Sequence, residues 1–310
     1  MTEDGLIRFL SKTTSLEWLD IRRNFKHVWT QRAFEAISTY QNLGLLVILD
    51  VKDAWITALH RNRTVSLFPK MTYLYTSISD NGLEELHPFM PNLEVLTLLN
   101  SELSPSHHIL HGASKFTMLK KLKVELAENS SIAGQELLQL AKNCPGLNEL
   151  YIAEDQAPAV PSTTDITDSL IDTFARSIPR LRELYLIFKA PDPLTFASLR
   201  SLGQHCPNLI LLTLSCNVAW DEFPDMSPEV VFRMLWYLRL HPDGDRRDLG
   251  LEGEDALEIV ADKIAVMVPK IMDFSFEDAT EMEESLEDLM TSICCASSSP
   301  EQVEITALSR

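Results

Sequence analysis

Three kinds of residue in this chain could do chemistry, and spacing decides what each is worth. His107, His108 and His111 lie close together, and His107 and His111 share one face of any helix that holds both. Two imidazoles so placed begin a metal site. No Cys, Asp or Glu stands beside them at ligand spacing, so a surface histidine cluster is expected and no metal. The five cysteines, Cys144, Cys206, Cys216, Cys294 and Cys295, are odd in number and contain no C-x-x-C pair, which excludes both a zinc knuckle and a disulfide framework. Cys144 and Cys206 read as small buried apolar residues, and Cys294-Cys295 as packing at a helix end. Carboxylates crowd the tail at Glu277, Asp278, Glu281, Glu283, Glu284, Glu287 and Asp288. Without an apolar cleft they read as a solvated cap or a dock for a basic partner, not as acid–base machinery. No G-x-S-x-G, H-E-x-x-H or phosphate-cradling glycine loop occurs, and the ten glycines are scattered. The expectation is a protein that is not an enzyme and holds no cofactor.

Recognition chemistry remains. Tyr73, Tyr75, Tyr151, Tyr185 and Tyr237 are five of the six tyrosines, and each sits in the same kind of local pattern, L-x-x-L-x-L or a close variant. Its first residue recurs at positions 16, 43, 71, 93, 119, 147, 181, 209, 235 and 271. The copy at Met71-Thr-Tyr-Leu74 is weak, and an eleventh, ragged one follows Pro300 at Val303-Glu-Ile305. The mean interval is about 28 residues, inside the range of leucine-rich repeats.

The alternation L-x-L puts its apolar residues on one face of a short strand. Apolar residues at helical spacing precede most strands, as in Gln135-Glu-Leu137-Leu138-Gln-Leu140-Ala141. Thr167 or Asp168, and Ser79 or Asp80, are placed to start helices. Pro145, Pro179 and Pro207 are placed to stop them. Neither element buries its apolar side alone, so the units must stack. The predicted fold is α/β: a leucine-rich-repeat solenoid, a right-handed α/β horseshoe of about ten irregular repeats. Parallel strands line the concave side and helices the outside. The whole of 1–310 reads as one solenoid, with 241–310 as its acidic terminal repeats or cap.

Two columns of non-core residues then cross the concave face. One runs Trp18, Leu45, Tyr73, Val95, Lys121, Glu149, Glu183, Leu211, Tyr237, Asp273. The other runs Asp20, Val47, Tyr75, Thr97, Lys123, Tyr151, Tyr185, Thr213, Arg239, Ser275. The candidate partner-binding residues are Trp18, Tyr73, Tyr75, Lys121, Lys123, Tyr151, Tyr185, Tyr237 and Arg239. Tyrosine and tryptophan are favoured interface anchors; equally, tyrosine favours strands and packs sideways across a sheet. Lys120, Lys121 and Lys123 read either as a basic patch for an acidic partner or as a solvated strand edge.

Charge narrows the partners. The net charge is -18; residues 1–70 carry 10 Lys+Arg against 7 Asp+Glu, and residues 241–310 carry 5 against 18. So acidic a chain is a poor nucleic-acid binder. No apolar run is long enough to span a bilayer, and the acidic start Met1-Thr-Glu-Asp4 is unlike a secretory leader, so no membrane and a cytoplasmic or nuclear monomer are expected.

Some stretches resemble a known family. Ile78-Ser-Asp-Asn-Gly-Leu83-Glu-Glu-Leu86, Ile132-Ala-Gly-Gln-Glu-Leu137-Leu-Gln-Leu140-Ala-Lys-Asn-Cys144-Pro-Gly-Leu147 and Ile166-Thr-Asp-Ser-Leu170-Ile-Asp-Thr-Phe174 resemble the ribonuclease-inhibitor-like repeats of F-box/leucine-rich-repeat proteins, chiefly the fungal type. Gln204-His-Cys206-Pro-Asn-Leu209 has the same corner. The resemblance implies the substrate-recognition region of a ubiquitin-ligase receptor. Docking to Skp1 would need an F-box outside this chain, because none is recognisable within it. The repeat's usual Asn or Cys after the strand is mostly missing, with Asn24 and Asn217 in place and Asp155 a partial substitute, so irregular repeats are expected. A protein-binding scaffold is the leading expectation. Its alternatives are a leucine-rich-repeat regulator of an enzyme such as a small GTPase, and an incomplete, non-functional paralogue.

Overall fold

A computed structural model describes residues 2–21, 27–61, 66–99, 108–126, 131–154, 163, 165–189, 194–216, 230–241, 254–276 and 286–291. Asn24, His107, Asp155, Asn217, Glu277 to Glu284, Cys294-Cys295 and 303–305 lie outside these residues.

Each L-x-L motif becomes a strand. They are β1 (Trp18–Asp20), β2 (Leu45–Asp50), β3 (Tyr73–Ser77), β4 (Val95–Leu98), β5 (Lys121–Leu126), β6 (Glu149–Glu154), β7 (Glu183–Leu186), β8 (Leu211–Ser215), β9 (Tyr237–His241) and β10 (Asp273–Phe276). All ten form one sheet in chain order, and every neighbouring pair is parallel. The helices are α1 (Glu3–Lys12), α2 (Gln31–Ser38), α3 (Asp53–Arg61), α4 (Asp80–Leu86), α5 (Ile109–Ala113), α6 (Gly134–Asn143), α7 (Asp168–Ser177), α8 (Phe196–His205) and α9 (Glu254–Met267). From α1 to α8 each helix packs on the next. Strands sit about 4.7–4.9 Å apart and packed helices about 8–10 Å. A stack with helices along one side must therefore curve, strands inward. This is a leucine-rich-repeat solenoid.

The repeat leucines build one continuous core. Leu43, Leu46 and Ile48 open a series that runs to Leu235, Leu238 and Leu240, all buried. Thr76 takes a leucine position in the weak third copy, fully buried, with its hydroxyl donating to the Ser77 carbonyl at 3.1 Å.

Two hydrogen-bond ladders tie successive repeats together. At the strand entrances, one carbonyl of each repeat accepts two backbone N–H groups from the next, at 2.8–3.2 Å. The acceptors are Glu17, Gly44, Thr72, Glu94, Lys120, Asn148, Arg182, Ile210 and Trp236, nine steps without a break. Because main chain does this, side-chain identity is free to vary. The strand register is regular except in β2, where the pairing with β3 shifts between Val47 and Asp50.

The second ladder links helix starts. Asp53 accepts from the Ser79 hydroxyl at 2.6 Å, and Ser79 in turn caps α4 through the Gly82 N–H at 2.9 Å. Asp80 accepts from the His108 N–H at 3.1 Å. Asp168 accepts from the Thr195 N–H at 3.0 Å and the Thr195 hydroxyl at 2.7 Å. In each case the first residue of one helix satisfies the N-cap residue of the next, where free N–H groups and the helix dipole favour an anion. Thr167 caps α7 through Leu170, while Asp168 reaches onward to α8.

Candidate functional site

The strand register aligns both predicted columns across the sheet. Trp18 pairs with Leu45, Leu45 with Tyr73, and so on to Tyr237 and Asp273. Asp20 likewise leads through Tyr75, Lys123, Tyr151 and Tyr185 to Arg239 and Ser275. All nine candidate residues therefore lie on one face, in three groups. Trp18 stands on the outer strand, 63% exposed. Half-buried Tyr73 and Tyr75 follow on β3. The third group runs from β5 to β9 and carries Lys121, Lys123, Tyr151, Tyr185, Tyr237 and Arg239.

Its centre is a stack. The rings of Tyr151 and Tyr185 lie 4.2 Å apart at 21°, and the Lys123 ammonium sits 4.9 Å from the Tyr151 ring centre. Lys123 also pairs with Glu125 at 2.7 Å. Partial burial lowers the Lys123 pKa, but the hydrogen bond and charge of Glu125 outweigh it and the net shift is upward. Sideways packing of tyrosine across the sheet is real, then, and both tyrosines are left half-buried.

The three lysines do not make a free basic patch. Lys120 pairs with Glu94 at 2.7 Å, Lys121 with Glu149, and Lys123 with Glu125. Two of these carboxylates come from neighbouring repeats, which is why the local sequence looked basic. Beside Glu149, burial first and the Glu149 charge second hold the Glu183 carboxyl above its ordinary pKa of 4.5.

Beyond the stack the face dips. Strand β8 offers only Leu211 and Thr213 between Tyr185 on one side and Tyr237 with Arg239 on the other. An open depression of about 180 Å³ results, lined also by Asp273 and Ser275. Tyr237 is 40% exposed, and the Arg239 Nε donates to the Ser275 hydroxyl at 3.0 Å, leaning toward β10. Reading for aromatic and basic residues missed Leu211 and Thr213.

The histidines lie on the helical side. His108 Nδ1 hydrogen-bonds Glu136, and His111 reaches Gln139 at 2.9 Å and Glu84 at 3.2 Å. The carboxylates missing from the local sequence arrive from adjacent repeats. Among the described residues no group of three His, Cys, Asp or Glu is placed to hold a metal. The Glu136 hydrogen bond and charge raise the His108 pKa above 6.5, with Asp80 and Glu84 adding to it against a small burial effect. A raised folded-state value means that this clip contributes fully below the unfolded pKa and fades as pH rises through the folded one. An NMR titration of His108 is expected to show the elevated midpoint, returned toward 6.5 by Glu136→Gln. Hydrogen exchange in α5 should quicken over the same rise in pH. An unchanged midpoint in the variant would remove Glu136 as the cause.

Among the described residues the thiols of Cys144, Cys206 and Cys216 are free and buried. Burial pushes Cys144 and Cys206 up to about 12, and both sulfurs point at carbonyls of the preceding repeat. Among the described residues no helix is long and apolar enough to cross a membrane.

No family model matches the chain. Tubulin-specific chaperone E of Pongo abelii is 33% identical over 122 residues, which is 38% of this chain and 22% of that protein. The Homo sapiens protein of that name is 32% identical over 103 residues, 32% of this chain and 19% of its own length. The chain thus spans only about a fifth of these curated relatives. The crystal structure of the Rad7 and Elc1 complex in yeast aligns with a TM-score of 0.40 and 13% identity, over 91% of this chain and 81% of that one.

Proposed function

We propose that this chain is a protein-interaction scaffold, not an enzyme, and that it binds its partner across the concave strand face. The observation that carries the reading is the Lys123–Tyr151–Tyr185 stack running into the open depression before Tyr237. Stacked, half-exposed rings present a rigid apolar surface whose ordering cost is already met, which is what an interface anchor needs. Two of the thiols that could act as nucleophiles are buried and held protonated, which also favours binding over catalysis.

The finer reading is the substrate-recognition region of an F-box-like ubiquitin-ligase receptor, with 1–310 as one solenoid and 241–310 as its acidic cap. It rests on the sequence resemblance, and Skp1 enters only through an F-box outside this chain. The stretch shared with tubulin-specific chaperone E favours a second reading, in which tubulin is the partner.

One experiment separates these. The intact chain, the double variant Tyr151→Ala/Tyr185→Ala and the outer-face variant Arg176→Ala are immobilised and offered cell extract, purified tubulin and purified Skp1. The outer-face variant is expected to keep the partner and the tyrosine pair to weaken it at least about 30-fold, the loss typical of central anchors. Equal capture by the tyrosine variant would refute concave-face binding. Capture of tubulin alone would replace the ligase reading.

A further inference from the structure

The concave face also has a direction of charge. Lys121 is taken by Glu149 and Lys123 by Glu125, and Arg239, on the β9 wall of the depression and two strands from Glu183, donates to Ser275. Glu183 sits next to Glu149 on one side and next to Leu211 on the other, in register. Among the described residues no cation lies within ion-pair distance of Glu183. Asp273, across the depression, is exposed and also has no ion pair among them. Carboxylates thus flank an apolar floor of Leu211 between two tyrosines.

We infer that the depression receives a lysine or arginine side chain from an extended segment of the protein partner: the aliphatic stem over Leu211 between Tyr185 and Tyr237, the cationic head on Glu183. This rests on the concave-face reading above and names the partner's chemistry. Long basic side chains join an apolar stem to a charged head, and aromatic faces attract the cation as well. Glu183 is half-buried beside Glu149, an arrangement that the Lys121 and Arg182 charges only partly offset, so an arriving cation does more than add a surface pair. The net charge of -18 draws a basic segment from a distance. An acidic side chain would have to choose Arg239 and pass both carboxylates.

A library of random linear peptides displayed on phage, selected against the intact chain, tests this. Enriched peptides are expected to share a Lys or Arg whose change to Met weakens binding roughly tenfold or more. Glu183→Gln should cost the basic peptide a similar factor and cost its Met version almost nothing, since the two changes remove the same contact. Peptides that share an acidic residue and respond to Arg239→Gln would overturn the inference. So would apolar peptides indifferent to Glu183→Gln. If Leu211→Arg, folded by circular dichroism, still abolishes those peptides, the concave-face reading survives alone. Peptides indifferent to Leu211→Arg as well, or no enrichment at all, would count against both.

Discussion

Phe34→Ala is expected to remove about 3–5 kcal/mol of stability, the usual cost of deleting a buried aromatic ring and leaving its cavity. Phe34 is fully buried, with Trp29, Trp55 and Phe68 around it at ring-centre distances of 6.2, 6.0 and 5.7 Å. Phe68 depends on the same packing. It holds a left-handed backbone with φ of 47°, pinned by its N–H to the Ser38 carbonyl at 2.8 Å. Such a conformation in a non-glycine residue costs about 1–3 kcal/mol and persists only while its surroundings enforce it. A solenoid contacts mainly its nearest neighbours, so the damage should stay local. In urea, tryptophan emission from Trp29 and Trp55 should change before the bulk of the circular dichroism signal. A single concerted transition at the original midpoint would show that the cluster is not holding these repeats.

Gly203→Ala is expected to destabilise by about 2 kcal/mol, although helix propensity alone favours alanine by about 1 kcal/mol. A Cβ on Gly203 would lie 2.4 Å from the Val231 carbonyl oxygen and 2.6 Å from its Cγ1. Val231 has nowhere to go, because its N–H and that of Phe232 both bond the Met267 carbonyl at 3.0 Å. The clash therefore reaches α9 and the repeats beyond. Gly146→Ala is the control: its added Cβ would meet only the Leu119 carbonyl, at 3.7 Å. Thermal melts of the two variants should separate clearly. A Gly203→Ala protein as stable as Gly146→Ala would mean that 230–233 yields freely.

The Asp53, Asp80 and Asp168 bridges were half legible. The sequence marks Asp80 and Asp168 as helix starts, which they are, and leaves Asp53 unmarked. That each also ties the next helix start could not be read, since their partners lie 26 to 28 residues away in connections of variable length. The same limit explains the lysines and histidines. Lys121 looked basic until Glu149 came alongside, and His108 looked isolated until Glu136 did.

The sequence by itself determined the ten strands, their parallel order and the residues of both concave columns. Alternation with period two and a repeat that must stack leave no other register once the leucines are buried. Only the tertiary structure decided which of those residues are neutralised by a neighbour and which stand open. Charge pairing depends on side-chain atoms meeting within a few ångströms across repeats, and no periodicity along the chain encodes that distance. That is why Glu183, Leu211 and the tyrosines could be placed in their columns from the pattern, while the pairing of Lys121 with Glu149 and the depression between Tyr185 and Tyr237 became visible only when the strands were laid side by side.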